Sequence, residues 1–274
     1  MSARKAAMVL HRLCWLAFVV LLVADVAAGR LVPFWVVLVP AAAAILIGLL
    51  VDRRGAGPAA DRPAVEVGPP VTGRWSALNS PADKVPSHGT HGYGQTYAID
   101  IVAEPEEGSR PPFRWLWPLA RSNRDFPAFG APLVAVADGT VVRAGDGMRD
   151  HLSRNSGPAL AYLLLVEAPL RDMAGARWIV GNHLVLDLGD GTYAAYAHLR
   201  RGSLQVRAGD TVRAGQMLAR CGNSGNSTEP HVHFQLMDHP DLDVARGIPF
   251  TWRGIGVPAG GEIFAAGGDV GADW

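Results

Sequence analysis

The sequence predicts a mainly β protein, an antiparallel sheet or sandwich preceded by an N-terminal hydrophobic helical hairpin. Two observations predict this class. Uncharged apolar runs dominate the first 51 residues, and short alternating apolar runs separated by Gly turns recur from about residue 81. The 274 residues suffice for one ordinary domain with appendages. The 25 basic and 25 acidic side chains balance, so composition gives no electrostatic reason to expect a nucleic-acid partner.

The hydrophobic hairpin is predicted from two segments, about 6–26 and 31–51. Residues 31–51 carry no charge, and at the helical rise they span roughly 30 Å, the thickness of a bilayer core. We interpret them as a transmembrane helix, in which prolines are tolerated. The first segment is weaker because its continuous uncharged part covers only 13–24, so a signal-like segment is the alternative to a spanning helix. Gly29-Arg30 offers a short connection between the two.

Beyond this predicted membrane anchor (1–54), the chain divides into a linker and a β domain. Residues 55–80 are rich in Gly, Pro and Ala without periodicity, which is typical of a linker. The β domain is predicted over 81–274, with its core over 88–237. Within it, Asp190-Gly191 lies between two apolar runs and predicts a β-hairpin.

Two insertions, about 104–130 and 146–177, interrupt the regular strands of this domain. The first is rich in Pro, Arg and Trp and is predicted as a long surface loop. The second contains the apolar run 158–171, predicted as a helix or an extra strand. Long loops in a compact domain either shape a binding site or decorate the fold, and both readings stay open.

The chemistry of the chain centres on "PHVHF" at 230–234. Side chains two apart on a strand share one face, so His231 and His233 project together, about 6.6 Å apart along the strand. Alone, such a pair is a weak signal, because exposed histidine pairs occur on β-faces. Zinc catalysis needs three ligands drawn from His and Asp/Glu, with a fourth position for water. Further candidates are available, namely His88, His91, Asp100 and His198.

The motifs around these residues closely resemble the lysostaphin/LytM-type zinc metallopeptidases, also called β-lytic metallopeptidases. The resemblance covers roughly residues 88–237. It implies an antiparallel β fold with a groove, one Zn²⁺, and cleavage of peptide bonds in bacterial peptidoglycan cross-links or stem peptides. The matching motifs are "AIDIV" (98–102), "GTVVRAG" (139–145), "YAHL" (196–199), "VRAGDTVRAGQMLARCGNSGNS" (206–227) and "PHVHF" (230–234).

The resemblance also implies roles for individual residues. It makes His233, Asp100 and, as the best candidate for the first ligand, His91 the metal ligands. His231 and His198 match the two catalytic histidines that are not ligands, one as general base and the other as a stabiliser of the oxyanion or a proton donor to the leaving amine. Which histidine does which is left open.

One departure concerns the first ligand. Many family members place it four residues before the aspartate, where this chain has Thr96, whose hydroxyl is not a normal zinc ligand. His91 lies nine residues before Asp100, an odd separation that requires the chain to loop or bulge between them. Gly92 and Gly94 make such a loop feasible. His88 is the alternative ligand.

The sequence thus predicts a membrane-tethered zinc endopeptidase acting on peptidoglycan peptides, with an unknown oligomeric state. The alternatives are a catalytically silent scaffold that binds and regulates a wall hydrolase, and an enzyme with protein substrates. We expect the protein in the cell membrane, with the β domain on the outer face. For a two-helix hairpin, the positive-inside rule places the β domain in the cytoplasm, which conflicts with this expectation. The rule agrees with an outer β domain only if residues 31–51 alone span the membrane. The charges concerned are Arg4, Lys5, Arg12, Arg53 and Arg54.

Overall fold

The computed structural model describes residues 3–30, 32–55, 62–105 and 110–267. Two long helices come first, α1 (Ala3–Ala27) and α2 (Phe34–Gly55), and they pack against each other. The Asp25 carboxylate accepts a hydrogen bond from the Val32 amide at 3.0 Å and so closes the connection between them. Both helices are long and apolar enough to cross a membrane, and most of their large apolar side chains are exposed. The predicted helical hairpin is confirmed.

The second part of the chain is built on antiparallel strands, as predicted. The described residues form a nine-stranded sheet in the order β13-β2-β3-β10-β7-β6-β5-β8, with β11 paired to β10. Two small sheets flank it, β1 with β12 and β4 with β9. The strands are β1 (Val65–Val67), β2 (Gly73–Asn79), β3 (Ile99–Ala103), β4 (Pro132–Val134), β5 (Gly139–Gly145), β6 (His183–Asp187), β7 (Tyr193–Ala197), β8 (Thr211–Val212), β9 (Met217–Arg220), β10 (Val232–Met237), β11 (Gly247–Ile248), β12 (Phe250–Trp252) and β13 (Ile263–Ala266).

The predicted hairpin at Asp190-Gly191 joins β6 to β7. Both residues have positive φ, 49° and 67°, which a two-residue turn matching the strand twist requires and which Asp-Gly adopts readily. The turn sets the register, which pairs Leu184 with Tyr196 and Leu186 with Ala194. The central strands of the sheet therefore follow from local turn chemistry.

The central sheet buries both faces. Leu186, Tyr196 and Phe234 lie on one face in the main core, whereas Ala197 and Met237 lie on the other face in a second, smaller apolar cluster. Strands covered on both sides read as nearly continuous apolar runs, because alternate residues meet two different cores. The smaller cluster matters for function, since the polar residues described below share its face.

The Tyr196 hydroxyl, fully buried in the main core, accepts a hydrogen bond from the Val136 amide at 2.9 Å. We expect Tyr196→Phe to lower the free energy of unfolding by about 1–3 kcal/mol, because it leaves a buried N–H without an acceptor. Thermal unfolding of the detergent-solubilised chain would measure the loss. Tyr193→Phe, in the same strand but only half-buried, is the matched control; equal effects for both variants would contradict the expectation.

Two strands lie inside the stretch predicted as a linker. β1 and β2 fall within residues 55–80, and β2 pairs with β3 on one side and β13 on the other. Trp75 and Ala77 alternate along β2 and are buried in the main core. The Gly- and Pro-rich turn that precedes them made this short apolar alternation hard to recognise in the sequence. A domain that begins at residue 81 would therefore lack a strand in the interior of its sheet, and that predicted boundary needs correction.

The second insertion is helical. It forms α3 (Gly157–Tyr162), a π-helical turn (Leu163–Glu167) and α4 (Ala168–Ala174), followed by α5 (Ala176–Val180). Of the two readings for 158–171, the helix is correct. In the described part of the first insertion, the only helical element is a short 3₁₀ turn at Asn123–Asp125.

Candidate metal centre and groove

Three neighbouring strands bring the predicted site residues together. β10 lies between β3 and β7, and its register sets His233 opposite Asp100 on one side and Ala197 on the other. His198 follows directly at the end of β7. The two residues flanking Asp100, Ile99 and Ile101, belong to the main core, so strand alternation directs the carboxylate to the opposite face of the sheet.

His88, Asp100 and His233 form a group whose potential ligand atoms all lie within 4.8 Å of one another. Asp100 Oδ2 is 2.9 Å from His88 Nε2, and Asp100 Oδ1 is 2.9 Å from His233 Nδ1. Burial by itself would raise the pKa of Asp100. The charges of His88 and His231 and the hydrogen bonds from His231 and His233 outweigh burial, so this pKa lies well below its usual range. An ionised carboxylate with two imidazoles is a donor set that suits Zn²⁺.

The structure brings His88, not His91, to this group, so the preference for His91 as first ligand needs correction. His91 Nδ1 is 3.1 Å from the Thr96 hydroxyl, and its backbone amide donates to Asp52 Oδ1 at 2.7 Å. Residues Gly92–Tyr97 form a 3₁₀ segment rather than a continuation of β3. The number of residues between His91 and Asp100 therefore does not tell whether the two side chains share a face. The alternative ligand His88 reaches Asp100 from the loop before that segment.

The segment is held close to the site by Gly94. Its φ of 77° lies in the left-handed region, and a Cβ at this position would meet the Gln235 side-chain nitrogen at 2.8 Å. The same nitrogen donates to the Tyr93 carbonyl at 2.8 Å, while Gln235 Oε1 accepts from His233 Nε2 at 3.0 Å. Gln235 thus fixes both the ring of His233 and the loop. Our reading of the sequence missed it, although it lies two residues from His233 on the same face.

We expect Gln235→Ala to weaken metal binding by about 10–100-fold, as loss of an outer hydrogen-bond partner of a ligand histidine commonly does. Competition with a chromogenic chelator would measure the affinity. Gln205→Ala changes an exposed glutamine away from the group and serves as control. Unchanged affinity in the first variant would contradict the role given to Gln235.

His198 and His231 lie beside the group with matching orientations. His198 Nδ1 faces the Ser224 carbonyl and His231 Nδ1 faces the Glu229 carbonyl, each at 2.8 Å. In a neutral imidazole this arrangement places the proton on Nδ1 and leaves Nε2 with a free lone pair. The two ring centroids are 4.8 Å apart, and His231 Nε2 lies 3.5 Å from Asp100 Oδ1.

The two histidines differ in their electrostatic surroundings. Burial, together with the charges of His231 and His233, holds the pKa of His198 well below its ordinary value, so His198 is neutral. Burial also disfavours the charged form of His231, but the nearby Asp100 carboxylate outweighs it and raises the pKa. His231 is therefore the better proton acceptor of the pair.

A groove of about 540 Å³ opens over these residues. His88, Asp100, His198, His231 and His233 line it. The helical second insertion lines it as well, with Leu163, Leu164, Ala168, Pro169 and Asp172. Of the two readings of this insertion, the one that shapes a site agrees with the structure.

Comparisons with known proteins agree with these motifs. Residues 172–243 match peptidase family M23. The chain is 43% identical over 58 residues to the glycyl-glycine endopeptidase ALE-1 of Staphylococcus capitis, covering 21% of this chain and 16% of that protein. It is 29% identical over 83 residues to the peptidoglycan DD-endopeptidase ShyA of Vibrio cholerae, covering 30% of this chain and 17% of ShyA. The chain thus spans less than a fifth of the length of these relatives.

Among solved structures, the chain matches the catalytic domain of lysostaphin from Staphylococcus simulans. The match has a TM-score of 0.33 and 22% identity, and it covers 63% of this chain and 84% of that chain.

Proposed function

We propose that the chain is a membrane-tethered zinc endopeptidase of the lysostaphin/LytM type that cleaves peptide bonds in bacterial peptidoglycan, because residues 172–243 match peptidase family M23. The observation that carries the proposal is the convergence of His88, Asp100 and His233 beside two histidines whose Nδ1 atoms both face backbone carbonyls. The named activities of ALE-1 and ShyA support a wall peptide as substrate.

In this proposal His88, Asp100 and His233 would hold the zinc ion. Zinc bound there supplies Lewis acidity, which makes water more acidic and polarises a carbonyl. His231 Nε2 takes the proton of the attacking water, because its Nδ1 proton is donated to the Glu229 carbonyl and Nε2 is left to accept. The protonated His231 then passes this proton to the leaving amine, while the neutral His198, whose Nδ1 proton is donated to the Ser224 carbonyl, accepts a hydrogen bond from the water at Nε2 and orients it.

The proposed tether is the helical hairpin of α1 and α2. Lys5 pairs with Asp241 and Arg12 pairs with Asp243, so the start of α1 lies on the same side as the peptidase domain. This agrees with two spanning helices and with a domain that begins near residue 62 instead of 81.

We assign the domain to the outer face, where peptidoglycan lies. The positive charges of Lys5 and Arg12, which favour the opposite orientation, are neutralised by acidic partners in the domain. Fusion of alkaline phosphatase or a fluorescent protein to the C-terminus would report the side. Fluorescence without phosphatase activity would overturn this orientation.

The central experiment measures zinc content and wall hydrolysis by the full chain in lipid nanodiscs, beside His233→Ala. We expect about one zinc per chain and release of peptides from purified sacculi, both lost in the variant. Mass spectrometry of the products identifies the bond that is cut. Zinc without hydrolysis of any wall preparation would favour the silent scaffold, and cleavage of casein alone would favour a protein substrate.

A further inference from the structure

The helical insertion has the polarity of a helix that does not face water. Among residues 157–174, all of which the structure describes, no exposed side chain is charged, and Tyr162, Leu165 and Leu170 are exposed at 51%, 76% and 54%. The charged side chains turn inward. Glu167 binds Arg154 and Arg171 and is only 16% exposed. A helix on the surface of a water-soluble domain shows the reverse pattern.

The tryptophan loop, residues 113–119, extends this surface. Trp115, Leu116 and Trp117 are exposed at 82%, 73% and 76%. The loop is joined to the start of α3, because the Gly157 amide donates to the Arg114 carbonyl at 3.0 Å and the Ser156 hydroxyl donates to the Leu119 carbonyl at 2.7 Å. Contiguous exposed apolar side chains of this number indicate a surface that is covered by something else.

The other end of the helical insertion contacts the membrane hairpin. α4 packs against α1. Arg12 Nε donates to the Asp172 carbonyl at 3.0 Å, and His11 Nε2 is 3.1 Å from Asp172 Oδ2. The apolar surface therefore begins where the hairpin leaves the peptidase domain, and it is continuous with the exposed apolar side chains of α1 and α2.

The length of the hairpin indicates how deep this surface lies. Beyond Arg12, which contacts the peptidase domain, α1 continues over residues 13–27, which at 1.5 Å per residue is about 22 Å. On α2 the level of His11 lies between Ala44, whose carbonyl is 2.8 Å from His11 Nδ1, and Gly48, so at most residues 34–47, about 21 Å, extend beyond it. A hydrocarbon core is roughly 30 Å thick. The hairpin is therefore shorter than the core by at least about 8 Å, which is of the order of the depth to which an in-plane amphipathic helix enters a bilayer.

We infer that the helical insertion and the tryptophan loop are embedded in the outer leaflet of the bilayer that holds the hairpin. The inference rests on the membrane tether of the proposed function. The embedded helix also lines the groove that holds the metal group, through Leu163 and Ala168. The groove therefore opens at the membrane surface, and the substrate is a wall peptide within reach of the lipid headgroups.

Site-specific labels on the full chain in nanodiscs of phosphatidylethanolamine and phosphatidylglycerol test this. Cys14→Ser leaves only Cys221, which is buried. A fluorophore is then attached in turn at Leu165→Cys, Leu116→Cys, Leu46→Cys in α2 and Arg207→Cys, whose side chain is 90% exposed on a polar turn. Each label is challenged with nitroxide-bearing lipid and with a water-soluble nickel quencher.

We expect the labels at 165, 116 and 46 to be quenched by the lipid nitroxide and to lose most of their quenching by nickel, with the reverse at 207. Nickel quenching at 165 and 116 as strong as at 207 would overturn the inference. Protection at 165 and 116 from both quenchers would also overturn it, because a protein partner or a second copy would then cover the surface. If the lipid nitroxide quenches the label at 46 but not those at 116 and 165, this inference is contradicted and the membrane tether still stands. If nickel quenches the label at 46, the membrane tether itself is contradicted. Wall hydrolysis is measured separately.

Discussion

Replacing His88 by alanine is expected to remove zinc from the protein, whereas His91→Ala is expected to leave it bound. His88 Nε2 lies 2.9 Å from Asp100, and His91 instead contacts Thr96. Loss of a direct ligand leaves two donors, too few for a stable site, so the fall in affinity should exceed the roughly 10–100-fold effect of losing an outer partner. Metal analysis after dialysis against a weak chelator would measure it.

The two variants control for each other, because both remove one imidazole from the same half-buried loop. Circular dichroism and the thermal midpoint, recorded with zinc present, separate loss of metal from loss of fold. Zinc retained in His88→Ala and lost in His91→Ala would contradict the proposed ligand set and restore the sequence-based preference.

Replacing His231 by glutamine is expected to lower the turnover of wall peptides by about 10²–10⁴-fold with zinc content unchanged, because the variant loses a general base but no ligand. The Nδ1 contact with the Glu229 carbonyl orients the ring, and glutamine can keep that hydrogen bond. His198→Ala is expected to cost about 10²-fold, because the variant loses the imidazole that orients the water, and misplacement of a reacting group costs a rate factor of this order.

Zinc analysis of the same preparations distinguishes these effects from damage to the metal group. His183→Ala is the control, because His183 is a half-buried histidine that contacts the Gly181 carbonyl outside the metal group. Activity of His231→Gln within a few-fold of the unmodified chain would contradict its role as base.

Much of the fold could be predicted from the sequence because the signals are local. The uncharged run at 31–51 and the Asp190-Gly191 turn each depend on a few consecutive residues. β2 was missed because its pairing with β3 and β13 involves partners 20 and more residues away, which no local pattern reveals. The helical insertion was ambiguous because a short apolar run suits a buried strand and a lipid-facing helix equally well.

By itself, the sequence determined that His231 and His233 share one face, since strand alternation is a local property. The family resemblance implied that Asp100 and His198 lie beside them. Only the tertiary structure decided which histidine completes the group. The path of the chain from His88 to Asp100 passes through the positive φ of Tyr93 and Gly94 and through the packing of Gly94 on Gln235. Tertiary packing also decided that the charged side chains of the helical insertion point inward. Contacts between distant segments set both features, so counting residues along the chain does not reveal them.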